Sequence, residues 1–470
     1  MVDNHIMQFE AVHTTGIYCR AECPATPHPR NVEAFPNAVA AEAAGFRPCL
    51  RCRPDRVPEG LAHIGLASVE HAILLITEGF LDRHTEDELA DRVGYSTRQL
   101  RRIFQQSVGA SPSFVAQSRR AHFARRLLDE SDLPVAAISR AAGFSSTRQM
   151  NRVVKGTFHF TPTDLRSRRG KFDRLDVDGG LRLRIPYEGE MDWTAIADFL
   201  KPRTMPGIEQ VSDGRYRRLT TTCGYPGLIE IGDHGDGHHL EIVAHLPTFD
   251  SIVDDVARAR QLFGLDDPPA PIELSTNPLL GSIARRRPGL RVPGAWNRFE
   301  TAVRVLLGQQ ISVAAATTLA GRLIDRYGES FAVKPFGLSR QFPSAETLAE
   351  AFIEDIGMPR ARAAMITRFA AAVADREVDL FATGPLDEVT GGLEELPGVG
   401  PWTSELIALR VMRHPDAFPA SDLGIRIAVG RLIGEERPAA AAVRLVSQQW
   451  RPHRALAAQH LWTSLHDEEQ

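Results

Sequence analysis

Leu396-Pro397-Gly398-Val399-Gly400-Pro401-Trp402-Thr403 is the stretch whose reading decides how this 470-residue chain is organised. Two glycines in a tight turn, followed by a helix, form the hairpin of a helix-hairpin-helix. The backbone N–H groups of Gly398, Val399 and Gly400, with the helix N-terminus behind them, can grip a DNA phosphate without reading sequence. Many nucleic-acid proteins use such a hairpin merely to bind, so by itself it implies DNA and no chemistry.

Working outward, Phe418-Pro419-Ala420-Ser421-Asp422-Leu423-Gly424-Ile425-Arg426 follows about 20 residues on. Asp422 lies near a helix start, where an N-cap is expected, and a capping carboxylate remains available for catalysis. From Ala295 onward the pattern is helical. Upstream, Leu181-Arg182-Leu183-Arg184-Ile185 alternates as a strand. Further strand-like runs at 216–222, 228–231 and 240–244 predict a small antiparallel sheet. Around 171–180 the chain changes character, and Asp178-Gly179-Gly180 marks a linker.

Residues 68–166 read as two helix-turn-helix units. Leu89, Ala90 and Val93 repeat at helical spacing, Gly94-Tyr95-Ser96 makes a turn, and Leu100, Ile103 and Phe104 repeat again. Ser96 is a natural N-cap for the second helix. Pro134, Val135, Ile138 and Ala142 lead in the same way through Gly143-Phe144-Ser145-Ser146 to a helix through Met150 and Val153. The solvent faces carry Arg98, Gln99, Arg101 and Arg102, then Arg148, Gln149, Asn151 and Arg152. Arg, Gln and Asn can make paired contacts to base edges in the major groove. A solvated basic face is the plainer reading of either helix alone. The repeated unit and the local charge favour DNA: residues 61–171 hold 17 Lys+Arg against 11 Asp+Glu, a local +6, although the whole chain carries −4.

Four of five cysteines fall in the first 52 residues, as Cys19-x3-Cys23, a gap of 25, then Cys49-x2-Cys52. Two short-spaced pairs can aim four thiolates at one tetrahedral Zn²⁺. On spacing alone this is a structural zinc clip. Cys223 stands apart and reads as an ordinary buried thiol.

The segments around these cysteines, His13-Thr14-Thr15-Gly16-Ile17-Tyr18-Cys19-Arg20 and Gly45-Phe46-Arg47-Pro48-Cys49-Leu50-Arg51-Cys52-Arg53-Pro54-Asp55, resemble the N-terminal domain of Ada-type adaptive-response proteins. The resemblance implies that Cys19, the first zinc ligand, accepts a methyl group from a methylphosphotriester in DNA. It also implies a switch from repair to transcriptional activation. Methylating one of four thiolates lowers the formal charge of the site from −2 to −1. One such repulsion, at about 4 Å and a surface-like dielectric, is about 4 kcal/mol. This sequence departs from the family at His13, usually Arg, and at Ala21, where a Pro commonly follows the Arg. Only 18 residues precede Cys19, where relatives have a further helix and strand, so a trimmed domain or a misassigned start is expected.

Ala142-Gly143-Phe144-x-Ser146-x-Arg148-Gln149-Met150-Asn151-Arg152 and Phe123-Ala124-Arg125-Arg126-Leu127-Leu128-Asp129-Glu130 resemble the AraC-type domain of the same family. Residues 181–465 resemble the 3-methyladenine DNA glycosylase II family, with matches at 288–294, at Leu307-Gly308-Gln309-Gln310-Ile311-Ser312-Val313 and at His460-Leu461-Trp462. The resemblance makes Asp422 the catalytic carboxylate and places Trp402 and Trp462 in the base pocket, where stacking favours an electron-poor ring. Core packing is the plainer reading of both tryptophans. Gln310 is grouped with that pocket, at the position that fills the gap left in the duplex. A flipped-out alkylated purine is already a good leaving group, so the carboxylate's task is to stabilise positive charge developing on the sugar. Trp402 stands where strand-cleaving relatives carry a Lys, so no lyase activity is expected. No cysteine follows Cys223, so no iron–sulfur cluster is expected. The absence of Pro-Cys-His-Arg argues against direct O6-methylguanine repair.

The expected fold is multidomain and mainly α. A small α/β four-cysteine zinc domain spans 1–60, and an all-α AraC-type double helix-turn-helix spans 61–171. An α+β glycosylase follows, with a sheet subdomain at 178–280 and a helix-hairpin-helix bundle at 281–470. The expected cofactor is one Zn²⁺. Expected partners are duplex, methylated and promoter DNA, with RNA polymerase as a protein partner. No apolar run approaches the roughly 20 residues of a membrane span, and no secretory signal is readable, so a bacterial cytoplasmic, nucleoid-associated protein is expected. Two readings compete: a transcriptional regulator whose C-terminal part only binds DNA, and a glycosylase whose N-terminal half targets DNA without methyl transfer.

Overall fold

Alternating apolar residues near the N-terminus build a four-stranded sheet from Phe9–Val12, Ile17–Arg20, Val32–Phe35 and Arg47–Pro48, the third strand lying outside the first and the fourth beside the second. The first strand pairs antiparallel with the second and third. Phe9, Ala11 and Tyr18 turn inward and pack on Ala38, Ala41 and Phe46. Asn37 caps the helix Ala38–Ala43 by accepting from the Ala40 N–H. The computed structural model describes residues 9–25, 27–54, 66–170, 180–250, 252–268 and 270–467. The boundary at 60/61, Asp55 and the linker up to position 179 lie outside these.

The chain divides into two units, Met1–Glu188 with Glu241–Ala257, and Gly189–Leu240 with Arg258–Gln470. In the first unit, Glu86–Arg92 and Thr97–Ser107 form one helix-turn-helix and Val135–Ala141 and Thr147–Phe158 another. The 19-residue helix Pro112–Glu130 runs between them in sequence. Gly94 and Gly143 adopt φ of 78° and 77° at the two turns, a conformation glycine enters without a Cβ clash. Ser96 and Ser146 cap the second helix of each unit through their side chains.

A buried carboxylate ties the zinc-side segment to the helical segment within this unit. Glu42 accepts from Tyr18 Oη at 2.7 Å, from Ser118 Oγ at 2.6 Å and contacts His122 Nε2 at 2.6 Å. Arg53 donates to Asp129 at 2.7 Å, and Asn37 to the Val108 carbonyl at 3.1 Å.

In the second unit, Glu209–Ser212, Arg215–Thr222 and Tyr225–Asp233 form an antiparallel meander. Cys223-Gly224, with φ of 52° and 80°, makes the two-residue turn between the last two strands, a geometry matched to their twist. Cys223 is therefore exposed rather than buried, which corrects the sequence expectation. The core of this unit is helical: Arg298–Leu307, Val313–Tyr327, Arg360–Ala374, Pro401–Arg410 and Arg454–Asp467 supply most of it. The helices Trp193–Leu200 and Ile252–Phe263 lie in the segment read as a sheet subdomain and were not anticipated. The architecture is multidomain and about half helical, with a small antiparallel sheet, as the sequence predicts. Among the described residues no helix is long and apolar enough to cross a membrane.

Candidate active site and metal centre

Asp422 caps the helix Leu423–Ile433, its Oδ1 accepting from the Ile425 N–H at 3.1 Å. Two indoles reach the same carboxylate. Trp462 Nε1 donates to Oδ1 at 2.9 Å and Trp402 Nε1 to Oδ2 at 3.1 Å. Three N–H groups thus fix both oxygens, and the two rings are anchored by the group they serve. A Cβ on Gly424 would lie 3.2 Å from Trp462 Cδ1 and 3.3 Å from Asp422 Oδ1, so glycine leaves the ring room to approach.

This carboxylate opens onto a cavity of about 380 Å³, within the range of small-molecule pockets. Phe199, Trp402 and Trp462 supply aromatic walls, with Leu406 and Leu465 beside them. Four arginines, Arg203, Arg218, Arg304 and Arg410, line it as well. The Arg203 guanidinium lies 3.9 Å from the Phe199 ring centre and that of Arg410 lies 5.1 Å from it. Burial, reinforced for Arg203 by Arg304 and for Arg410 by Arg203 and Arg304, draws their basicity down, to about 10 for Arg203 and about 9 for Arg410. Burial alone draws Arg304 down to about 10. Arg218 bridges Glu209 at 2.9 Å and Glu300 at 2.8 Å, and Tyr216 Oη donates to Glu209.

Gly398, at φ 96°, turns the hairpin; a Cβ there would meet Met365 Sδ at 3.0 Å. Val399 buries its side chain, so only its backbone is available to a ligand at that position. Gly400 is the N-cap of Pro401–Arg410. Gln309, to which the sequence assigned no role, donates to the Gly398 carbonyl at 3.1 Å and to Thr403 Oγ1 at 2.9 Å. Arg362 in turn donates to the Gln309 carbonyl at 2.6 Å. These bonds hold Gln310 exposed at φ 56° on the loop after Arg298–Leu307. Gln310 is not among the residues that line the cavity. Phe199, Arg203, Arg304, Arg410 and Gly424 were likewise missed; no spacing signal links them.

The four cysteines converge. The Sγ atoms of Cys19, Cys23, Cys49 and Cys52 all lie within 4.8 Å of one another, close to the ~3.8 Å edge of a tetrahedron with Zn–S bonds near 2.3 Å. Cys19 and Cys49 are buried, Cys23 and Cys52 half-buried. Burial, then hydrogen bonding and repulsion among the four sulfurs, pushes the Cys19 thiol far up and Cys52 up to about 12. Burial opposes ionisation at Cys49 too, but N–H groups of Cys52 and Arg51 hold it below the ordinary thiol value. Such a cluster needs a cation to carry four thiolates at neutral pH, which a Zn²⁺ supplies.

On the two second helices, Arg98, Arg101, Arg102, Arg148, Asn151 and Arg152 are exposed. Arg101 is paired to Glu86 at 2.6 Å. Gln99 and Gln149 accept from Ser96 and Ser145 respectively, so their carbonyl oxygens are spent on helix starts.

Comparison with known proteins agrees with this division of labour. The chain matches the family models "Metal binding domain of Ada" over 6–55, "Helix-turn-helix domain" over 89–168, "AlkA N-terminal domain" over 182–297 and "HhH-GPD superfamily base excision DNA repair protein" over 303–452. It is 40% identical over 463 residues to the "Probable bifunctional transcriptional activator/DNA repair enzyme AlkA" of Mycobacterium tuberculosis, covering 97% of this chain and 92% of that protein. The chain belongs to this family of Ada–AlkA fusion proteins. Its second part is 30% identical over 283 residues to "DNA-3-methyladenine glycosylase 2" of Escherichia coli, covering 59% of this chain and 95% of that one. The fold is also that of a 3-methyladenine DNA-glycosylase from Archaeoglobus fulgidus, with a TM-score of 0.53 at 23% identity over 61% of this chain and 98% of that one. In this family's terms the four cysteines hold one Zn²⁺.

Proposed function

We propose that this protein repairs alkylated DNA and regulates the response to it. Its glycosylase part excises alkylated purines such as 3-methyladenine, its Cys19 accepts methyl groups from methylphosphotriesters, and its helix-turn-helix pair recruits RNA polymerase to promoters. The observation that carries the reading is Asp422: a carboxylate fixed by two indole N–H groups at the mouth of an aromatic cavity, beside a DNA-gripping hairpin.

Gly398 and Gly400 hold a phosphate while Gln310 enters the duplex and the damaged base swings into the cavity. Trp402 and Trp462 stack on the base with their N–H edges turned to the carboxylate. Asp422 faces C1′, where positive charge grows as the glycosidic bond lengthens; a negative oxygen held in place costs no reorganisation at that moment. It then steers water to C1′. No amine stands next to the hairpin, because Trp402 fills the place, so the sugar is released as an intact abasic site.

Zinc, when bound, keeps the sulfurs ionised. Cys19 Sγ attacks the methyl carbon, the C–O bond breaks, and the phosphate departs as an ordinary diester anion. The site loses one negative charge, and the repulsion between it and the backbone falls.

The test is product analysis on methylated duplex DNA with the intact protein. Free 3-methyladenine should appear with abasic sites that remain uncleaved until alkali is added. Simultaneous strand breaks without alkali, or no free base from zinc-loaded protein, would contradict the reading. Mass analysis of the Cys19 peptide after exposure to methylphosphotriester DNA should show a gain of one methyl.

A further inference from the structure

We propose that Gln309 is a positioning residue for base flipping. Its side-chain amide locks the loop that carries Gln310 to the hairpin and to the helix bearing Trp402, so that phosphate capture and entry into the duplex act as one rigid unit. The inference rests on the glycosylase reading above.

Gln309 is half-buried in the short loop between the helices Arg298–Leu307 and Val313–Tyr327. Its Nε2 donates to the Gly398 carbonyl at 3.1 Å and to Thr403 Oγ1 at 2.9 Å, with Met365 Sδ, a weaker acceptor, at 3.4 Å. A carbonyl can only accept, so Gly398 fixes which end of the amide faces the hairpin. The main chain of Gln309 is held as well, because Arg362 donates to its carbonyl at 2.6 Å. One residue thus joins its own loop to the hairpin and to the helices Arg360–Ala374 and Pro401–Arg410. Thr403 is buried and directly follows Trp402, whose indole reaches Asp422.

The hairpin has other bonds that keep its shape. The Val399 N–H donates to the Leu396 carbonyl at 3.0 Å, and Arg368 reaches the Pro397 carbonyl at 3.4 Å. The loop depends more heavily on Gln309. Gln310 is exposed and left-handed, a conformation that a residue with a Cβ keeps only where its surroundings impose it.

Flipping draws a base out of the stack against its neighbours and its partner, and the duplex closes again unless something holds the gap open. A side chain entering that gap from a loose loop is pushed back out. One on a loop fastened to the phosphate-gripping hairpin stays at a fixed distance from the gripped phosphate. Gln309 therefore acts while the base is being extracted. It matters little for holding undamaged duplex, and little for a base whose pairing is already broken.

The experiment compares full-length wild type with Gln309→Met, which has similar length but no donor. Single-turnover release of 7-methylguanine is followed from one duplex where it pairs with cytosine and another where it is mispaired with adenine. Affinity for undamaged duplex is measured alongside. Loss of two neutral hydrogen bonds should slow release from the paired site by about tenfold. Release from the mispaired site should slow by less than about threefold, because a mispaired base is easier to extract. Undamaged-duplex affinity should stay within about twofold of wild type, since the hairpin still grips phosphate. The two rates are taken on one preparation, so partial unfolding cancels in their ratio. If Gln309→Met does not fold, Gln309→Glu, which keeps the shape without the donors, replaces it. A loss at the mispaired site as large as at the paired one, no loss at either, or a matching loss of undamaged-duplex affinity overturns this proposal alone. No 7-methylguanine released by wild type from either duplex overturns the glycosylase reading itself.

Discussion

Replacing Trp462 by Phe keeps an aromatic wall but removes the N–H that reaches Asp422 Oδ1 at 2.9 Å. Hydrogen bonds to a charged acceptor are worth about 1.5–3 kcal/mol. If the indole's task is to hold the carboxylate where charge develops, most of that is lost from the transition state. At 1.36 kcal/mol per decade the rate constant falls by about ten- to a hundredfold. Trp402→Phe, which frees Oδ2, should act in the same range. Both serve one group, so neither substitution should add anything in an Asp422→Asn background, and the double-mutant cycle reports this coupling directly. The assay is single-turnover release of 3-methyladenine from methylated duplex with protein in excess, which separates the chemical step from product release. Trp462→Phe releasing base within about twofold of wild type would refute the idea that the N–H positions the carboxylate, and would leave the ring as a stacking wall only.

Glu42→Ala removes the acceptor shared by Tyr18, Ser118 and His122 and should destabilise the zinc-side segment by about 3–5 kcal/mol, read as faster zinc release to a chelator and earlier urea unfolding of the first unit. Gly398→Val puts a branched side chain at φ 96° against Met365; duplex affinity should fall by a similar factor for any sequence, because the hairpin grips phosphate, as titrations on two unrelated duplexes would check. His460 is pushed down to about 4 by burial, then by the Arg287 charge. Its folded value lies below the unfolded value near 6.5, so the unfolded chain binds more protons between pH 4 and 6.5 and stability falls as pH drops through that window. The full effect is about 3 kcal/mol; urea midpoints against pH should fall less steeply in His460→Gln.

Much of the fold was legible because the decisive features are local in the chain. The hairpin glycines, the paired cysteines and Ser96 and Ser146 each act within a few residues of themselves, and the structure places them as their spacing implies. Asp422 could be read as a cap and a carboxylate at once, for the same reason. What spacing does not carry is contact between distant elements. Phe199, Arg203, Arg304 and Arg410 come from three different helical segments and meet only in the folded second unit. The left-handed backbone of Gln310, at φ 56°, is likewise not readable from spacing. Cys223 reads as buried only because it is isolated; its place in a two-residue turn exposes it. The helix Ile252–Phe263 follows directly on the last strand of the segment read as a sheet.

The most direct measurement is release of free 3-methyladenine from methylated duplex DNA by wild type and by Asp422→Asn, with duplex binding followed in parallel. Asn keeps the size and one oxygen but not the charge. The account predicts that wild type releases base, that Asp422→Asn loses at least about a hundredfold of that activity, and that both bind duplex equally. Comparable release by the variant, or no release by folded, zinc-loaded wild type, would contradict it.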